Sequence, residues 1–128
     1  MLFRSDPETV SQLVRMNAKV MGTTGNPYYG APTIVLVFAS PTEKVSFSVC
    51  DGSLVLGNMM IAAHAIGLGA CWINREREMF ETDEGKALMK RFGLPEGLIG
   101  IGSIALGYAA NPLPPAKPRK SDYSRVVR

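Results

Sequence analysis

Apolar and polar residues follow one another along this chain in blocks of changing period, and each block predicts an element. Val10, Leu13, Val14 and Val20 recur at helical spacing, with Met16 and Met21 near the same side. Ser5-Asp6-Pro7-Glu8 predicts the start of that helix: Ser5 accepts from first-turn N–H groups, Glu8 reaches back, and Pro7 suits the first turn. The helix is expected to end near Gly22, and GTTGNPYYGAP, residues 22–32, reads as a loop. Thr33–Ala39, TIVLVFA, is a continuous β-branched and aromatic run, which predicts a central strand covered on both faces. Asp51–Leu68 predicts the longest helix, with Leu54, Asn58, Ile61, Ala62, Ala65 and Ile66 as its core stripe. Gly67-Leu68-Gly69 stops it through a left-handed glycine.

A short strand, Ala70–Ile73, is expected directly afterwards. Thr82-Asp83-Glu84 starts a further helix that runs to Arg91 or Phe92, with Gly93 as its stop. Ile99–Tyr108, IGIGSIALGY, reads as a strand whose glycines imply a close approach by backbone, ligand or helix. Ala109–Lys120 is Pro-rich and extended, and Tyr123–Val127 is expected to form a short terminal strand. Strands interleaved with helices predict a layered α/β or α+β sheet protein. The chain reads as a single domain over residues 1–128, with 109–128 an extended C-terminal arm.

Composition sharpens this picture in two places. Hydrophobic residues at 46% and charged residues at 20% are an ordinary globular balance for 128 residues, so a packed core is expected. The net charge of +3 is unevenly placed: Lys117, Arg119, Lys120, Arg125 and Arg128 against Asp122 leave +4 on the C-terminal arm and −1 on everything before it. That argues against a broad nucleic-acid surface and leaves two readings, a basic arm that meets one anion or a solvated charged tail.

Cys50 and Cys71 follow a polar N-terminus without a secretory signal, so both thiols are expected buried and reduced in a cytoplasmic protein. With no CxxC pair and His64 as the lone histidine, neither a metal site nor Cys/His catalysis is supported. No apolar run is long enough to predict a membrane span.

Three segments carry a resemblance. The first is Tyr28-Tyr29-Gly30-Ala31-Pro32-Thr33, leading into the apolar strand. The second is Asp51-Gly52-Ser53, Gly57-Asn58 and then AAHAIGLGACWI, residues 62–73. The third is Leu106-Gly107-Tyr108 followed by Pro-rich chain and Lys117-Pro118-Arg119-Lys120. In this order they resemble the FMN-dependent nitroreductase family, over nearly all of the chain from about Gly25 onward. The family's usual opening, an Arg-rich helix start and an Asn/Gln- and Pro-containing segment beside the flavin, has no counterpart here, so the N-terminal helix/strand region of the fold is expected to be missing.

The resemblance implies an α+β nitroreductase-like fold, a central mixed β-sheet flanked by helices, in a tight homodimer. It implies bound FMN, with NAD(P)H as electron donor and a nitroaromatic, quinone or enone as acceptor. Carried onto this sequence, Trp72-Ile73-Asn74 line one flavin face, with the Asn74 N–H nearest N5, and Lys117 and Arg119 meet the FMN phosphate. Side chains alternate along an extended segment, so two cations separated by Pro118 can face one dianion. As bare sequence, Trp72 and Ile73 read as packing residues.

No general acid or base is implied, since the cofactor carries the electron chemistry. The alternative function is a truncated dimeric scaffold that binds no flavin. Tyr123–Val127 is expected to pair with a partner's sheet, as the C-terminal extension does in similar proteins. The remaining candidates read plainly: His64 as a packed histidine, Cys71 as buried and quiet, Asn58 as a buried polar anchor, and Met59 and Met60 as core or dimer-interface residues. Gly67-x-Gly69 ends a helix and so is no dinucleotide fingerprint.

Overall fold

The computed structural model describes residues 2–41, 47–112, 115–121 and 125–127. Its elements run β1 (Leu2–Arg4), α1 (Pro7–Met21), β2 (Thr33–Ala39), α2 (Ser48–Ala65), β3 (Gly69–Ile73), α3 (Glu76–Glu81), α4 (Asp83–Arg91) and β4 (Ile99–Gly107). The strands form one sheet in the order β1-β2-β4-β3. All three pairings are antiparallel, so among the described residues the sheet is not the mixed one expected. Two elements were not foreseen. β1 pairs with β2 through Phe3 opposite Val35, and α3 is a six-residue helix directly after β3.

Local chemistry explains most boundaries. Asp6, not Ser5, caps α1: its Oδ2 accepts from the Thr9 N–H at 3.0 Å, and Pro7 opens the helix. Gly22, at φ 66°, ends it in the left-handed region. Thr82 turns the corner between α3 and α4, donating to the Met79 carbonyl at 2.6 Å and accepting from Gly85 N–H at 3.0 Å. A Cβ on Gly85 would stand 2.1 Å from that same carbonyl, so only glycine fits the corner. α2 begins three residues before its expected start and stops at Ala65, with Gly67 at φ 80° just beyond.

The sheet lies between two layers. On one face α1, α3 and α4 bury Leu13, Ile34, Leu36, Ile73, Met79 and Leu88 in a common core. On the other face α2 is the one helix among the described residues, and Leu56 packs with Val35, Val37 and Ile104. α2 comes close where Gly52 meets β4: a Cβ there would stand 2.7 Å from Ile101.

This contact reverses the expected orientation of α2. Gly52, Leu56 and Ala63 are buried, with Met59 and Met60 packed beside them. The residues expected to form the core stripe face outward instead, with Leu54 67% exposed, Ile61 72% and Ile66 74%, and Asn58, Ala62 and Ala65 also exposed. Asn58 is therefore no buried anchor, and His64 is exposed as well. Both cysteines are exposed, because Cys50 sits on the outward side of α2 and Cys71 on the edge strand β3. Of the expected terminal strand, residues 123 and 124 lie outside the described residues, and 125–127 form no strand. No helix among the described residues is long and apolar enough to cross a membrane.

Candidate functional site

β3 is where the sequence-derived candidates meet the surface. Its pleat sends successive side chains to opposite faces. Ile73 goes into the core beneath α1 and is 6% exposed, while Trp72, on the α2 side, is 50% exposed. Asn74 follows the strand and is exposed, and its Oδ1 accepts from Arg75 Nη1 at 2.9 Å. Arg75 has φ 82°, a left-handed conformation that few non-glycine residues adopt, and it caps α3. Tyr29, 77% exposed, has φ 55°. Between these two unusual backbones lies an open cleft of about 220 Å³, with Met21, Pro27 and Tyr29 on one side and residues 72–75 on the other. Lys117 and Arg119 are exposed, outside any helix or strand, and do not line it.

Behind the cleft lies a buried polar cluster that sequence reasoning did not identify. Asn17 Nδ2 donates to the backbone oxygen of Asn74 at 3.1 Å and to Tyr28 Oη at 3.4 Å. The Tyr28 hydroxyl donates to Glu76 Oε1 at 3.0 Å, and the Ser103 hydroxyl donates to the same oxygen at 2.5 Å. Asn17, Tyr28, Glu76 and Ser103 are all fully buried. Asn17 Oδ1 and Glu76 Oε2 have no partner among the described residues.

Burial raises the Glu76 carboxyl from 4.5 to about 7; the Ser103 and Tyr28 hydroxyls oppose that rise and the charge of Glu78 adds to it. Burial, reinforced by the Glu76 carboxylate, also pushes the Tyr28 phenol up, so it stays protonated. One signal for this cluster stood in the sequence: Ser103 interrupts the apolar run IGIGSIAL, and a polar residue in a buried strand needs a partner. Among the described residues no three His, Cys, Asp or Glu side chains group to hold a metal.

Residues 6–108 match the model of the nitroreductase family. The chain belongs to the nitroreductase family. Relatives of this nitroreductase-family chain include a protein of Methanothermobacter thermautotrophicus with the provisional name NADH dehydrogenase/NAD(P)H nitroreductase, 36% identical over 83 residues, which are 62% of this chain and 41% of the relative. A protein of the same provisional name from Archaeoglobus fulgidus is 30% identical over 67% of this chain and 49% of its own. The chain thus matches less than half the length of each of these curated relatives.

Among solved structures, a Bacteroides fragilis nitroreductase with bound FMN superposes with a TM-score of 0.83 at 26% identity, over 98% of this chain and 74% of that one. An FMN-bound nitroreductase of Desulfitobacterium hafniense gives a TM-score of 0.78 at 22% identity, over 98% and 73%. The α+β fold expected from the sequence is therefore the fold of this nitroreductase-family chain.

Proposed function

We propose that this chain forms the core of an FMN-dependent oxidoreductase that uses NAD(P)H to reduce a small organic acceptor of nitroaromatic, quinone or enone type, and that it acts as a homodimer. The observation that carries this reading is the end of β3: half-exposed Trp72 and exposed Asn74 border an open cleft that the exposed Tyr29 also lines. Flat aromatic ligands bind against such surfaces.

The residues fit FMN as part of a bed. A cleft of about 220 Å³ is smaller than a typical ligand pocket of ~300–1,000 Å³, so one chain covers only part of the ring system. A second copy is a natural source of the rest, since α2 presents Leu54, Ile61 and Ile66 to solvent on its outer face.

When bound, FMN supplies the hydride and electron chemistry between NAD(P)H and the acceptor. The chain's own contribution is placement. Trp72 offers its indole face to the ring. Asn74 offers a backbone N–H toward N5, a donor that does not titrate. Ile73 contributes backbone alone, because its side chain is packed in the core. Lys117 and Arg119 hold the phosphate once the arm is drawn over the site, the Arg with a bidentate fork. Glu76 is sealed from the cleft by burial, so it is no general acid toward a ligand.

The deciding experiment is flavin titration of the purified chain followed by NAD(P)H oxidation with a nitroaromatic or quinone. Yellow protein that releases FMN on denaturation and turns over is the expected result. A chain that takes up no flavin is the scaffold reading instead.

A further inference from the structure

We propose that Asn17 is a positioning residue for the Asn74–Arg75 peptide at the flavin-facing end of β3, and that Tyr28, Glu76 and Ser103 form the buried frame that fixes its amide. The link to flavin rests on the function proposed above; the positioning itself does not.

The side-chain amide of Asn17 has two N–H donors, and both are used, one on the Asn74 carbonyl and one on the Tyr28 hydroxyl. Rotating that amide by half a turn would set Oδ1 against the Asn74 carbonyl, acceptor against acceptor. Its orientation is therefore determined. The Tyr28 proton has Glu76 Oε1 as its near acceptor at 3.0 Å, with the weaker acceptor Met79 Sδ at 3.8 Å, and Ser103 also holds that carboxyl oxygen from β4. The direction of donation thus runs from Asn17 through Tyr28 to Glu76, and it ties α1, the 22–32 loop, α3 and β4 together behind the cleft.

The backbone at this point needs holding. Arg75 sits at φ 82° without being glycine, a strained conformation that persists only where its surroundings impose it. The peptides on either side of Arg75 are clamped. Asn17 holds the Asn74 oxygen at 3.1 Å, and the Met79 N–H holds the Arg75 oxygen at 2.9 Å. A trans peptide is planar with its N–H opposite its C=O. With the Asn74 carbonyl turned inward to Asn17, the Arg75 N–H is turned away from the interior. The hydrogen bond from α1 thereby sets which backbone groups residues 74 and 75 present to the cleft they line.

The test uses Asn17→Leu, similar in size and without donors, and amide hydrogen exchange of the flavin-free protein read by NMR at Met79, whose N–H donates to the Arg75 oxygen. Loss of the Asn17 clamp is expected to loosen the turn and speed exchange at Met79 by about tenfold, while the amides of β2 and β4 keep their protection. FMN titration of the same variant is expected to show affinity about tenfold weaker. Unchanged exchange at Met79 in a folded variant overturns the positioning role. Faster exchange with undiminished FMN affinity overturns its bearing on flavin. A parent chain that binds no FMN overturns the proposed function and leaves the exchange result to judge Asn17. Tyr28→Phe is the second variant, decisive if N17L does not fold: it keeps the ring and breaks the frame, and it is expected to speed exchange at Met79 several-fold. A folded Y28F with parental exchange at Met79 overturns the role of the frame.

Discussion

Gly102 leaves open the space that the indole of Trp72 occupies: a Cβ on this glycine would stand 2.6 Å from Trp72 Nε1. The same Cβ would meet Leu56 Cδ1 at 2.9 Å and the Ile73 carbonyl at 3.2 Å, so there is nowhere for a methyl group to go without movement. The glycine in the middle of β4 is thus tied to the pose of the residue proposed to lie against the flavin. Gly102→Ala is expected to destabilise the chain by about 1–3 kcal/mol through overpacking and to turn the indole outward. The chain has one tryptophan, so fluorescence reports the displacement directly, and denaturant unfolding reports the cost. A variant with parental emission and stability would contradict this packing.

The buried Glu76 gives the stability a pH dependence of defined sign. Its carboxyl titrates near 7 in the fold against 4.5 when unperturbed. The folded chain therefore holds this proton over a range where the unfolded chain has released it. The contribution is fully present below about pH 4.5 and is lost as pH rises through about 7, on the order of 3 kcal/mol in all. Glu76→Gln replaces the neutral acid with a neutral amide of the same shape and is expected to flatten this dependence. Urea unfolding of parent and variant at about pH 5 and about pH 8 measures it. Parallel pH profiles for the two proteins would show that Glu76 is ionised throughout.

The basic arm is expected to carry phosphate affinity. Lys117→Ala with Arg119→Ala removes two cations that have no ion pair to a described residue. FMN affinity is expected to fall by at least about tenfold, with riboflavin, which has no phosphate, affected little. Equal losses for both flavins would mean that the arm shapes the ring site and does not read the phosphate.

The outer face of α2 is expected to be a subunit interface. Leu54→Glu with Ile61→Glu places charge at positions 67% and 72% exposed in the single chain, so the monomer fold has little to lose. Sedimentation is expected to show a dimeric parent and a monomeric variant. Removal of residues 121–128 is expected to weaken the dimer as well, through loss of the terminal segment. A parent that sediments as a monomer at micromolar concentration rejects the interface.

What the sequence by itself determined was set by local rules. TIVLVFA has no helical period and a β-branched composition, so β2 was legible to the residue. Gly22 and Gly93 marked helix ends because a left-handed turn favours glycine. The family was legible from AAHAIGLGACWI and its neighbours, and with the family came the α+β fold. The orientation of α2 was not legible. With apolar residues on both sides, its pattern points nowhere, and Gly52 against Ile101 decides which side meets the sheet.

The cap of α1 was misassigned by one residue because Ser5 and Asp6 are both good caps, and only backbone geometry chooses. Nor did any spacing reveal that Asn17 would meet Asn74, 57 residues away, or that Ser103 would meet Glu76. Hydrogen bonds between distant side chains depend on where packed helices and strands bring their ends. That placement is decided by the tertiary fold, where burial leaves each polar group to find a partner among whatever lies nearest.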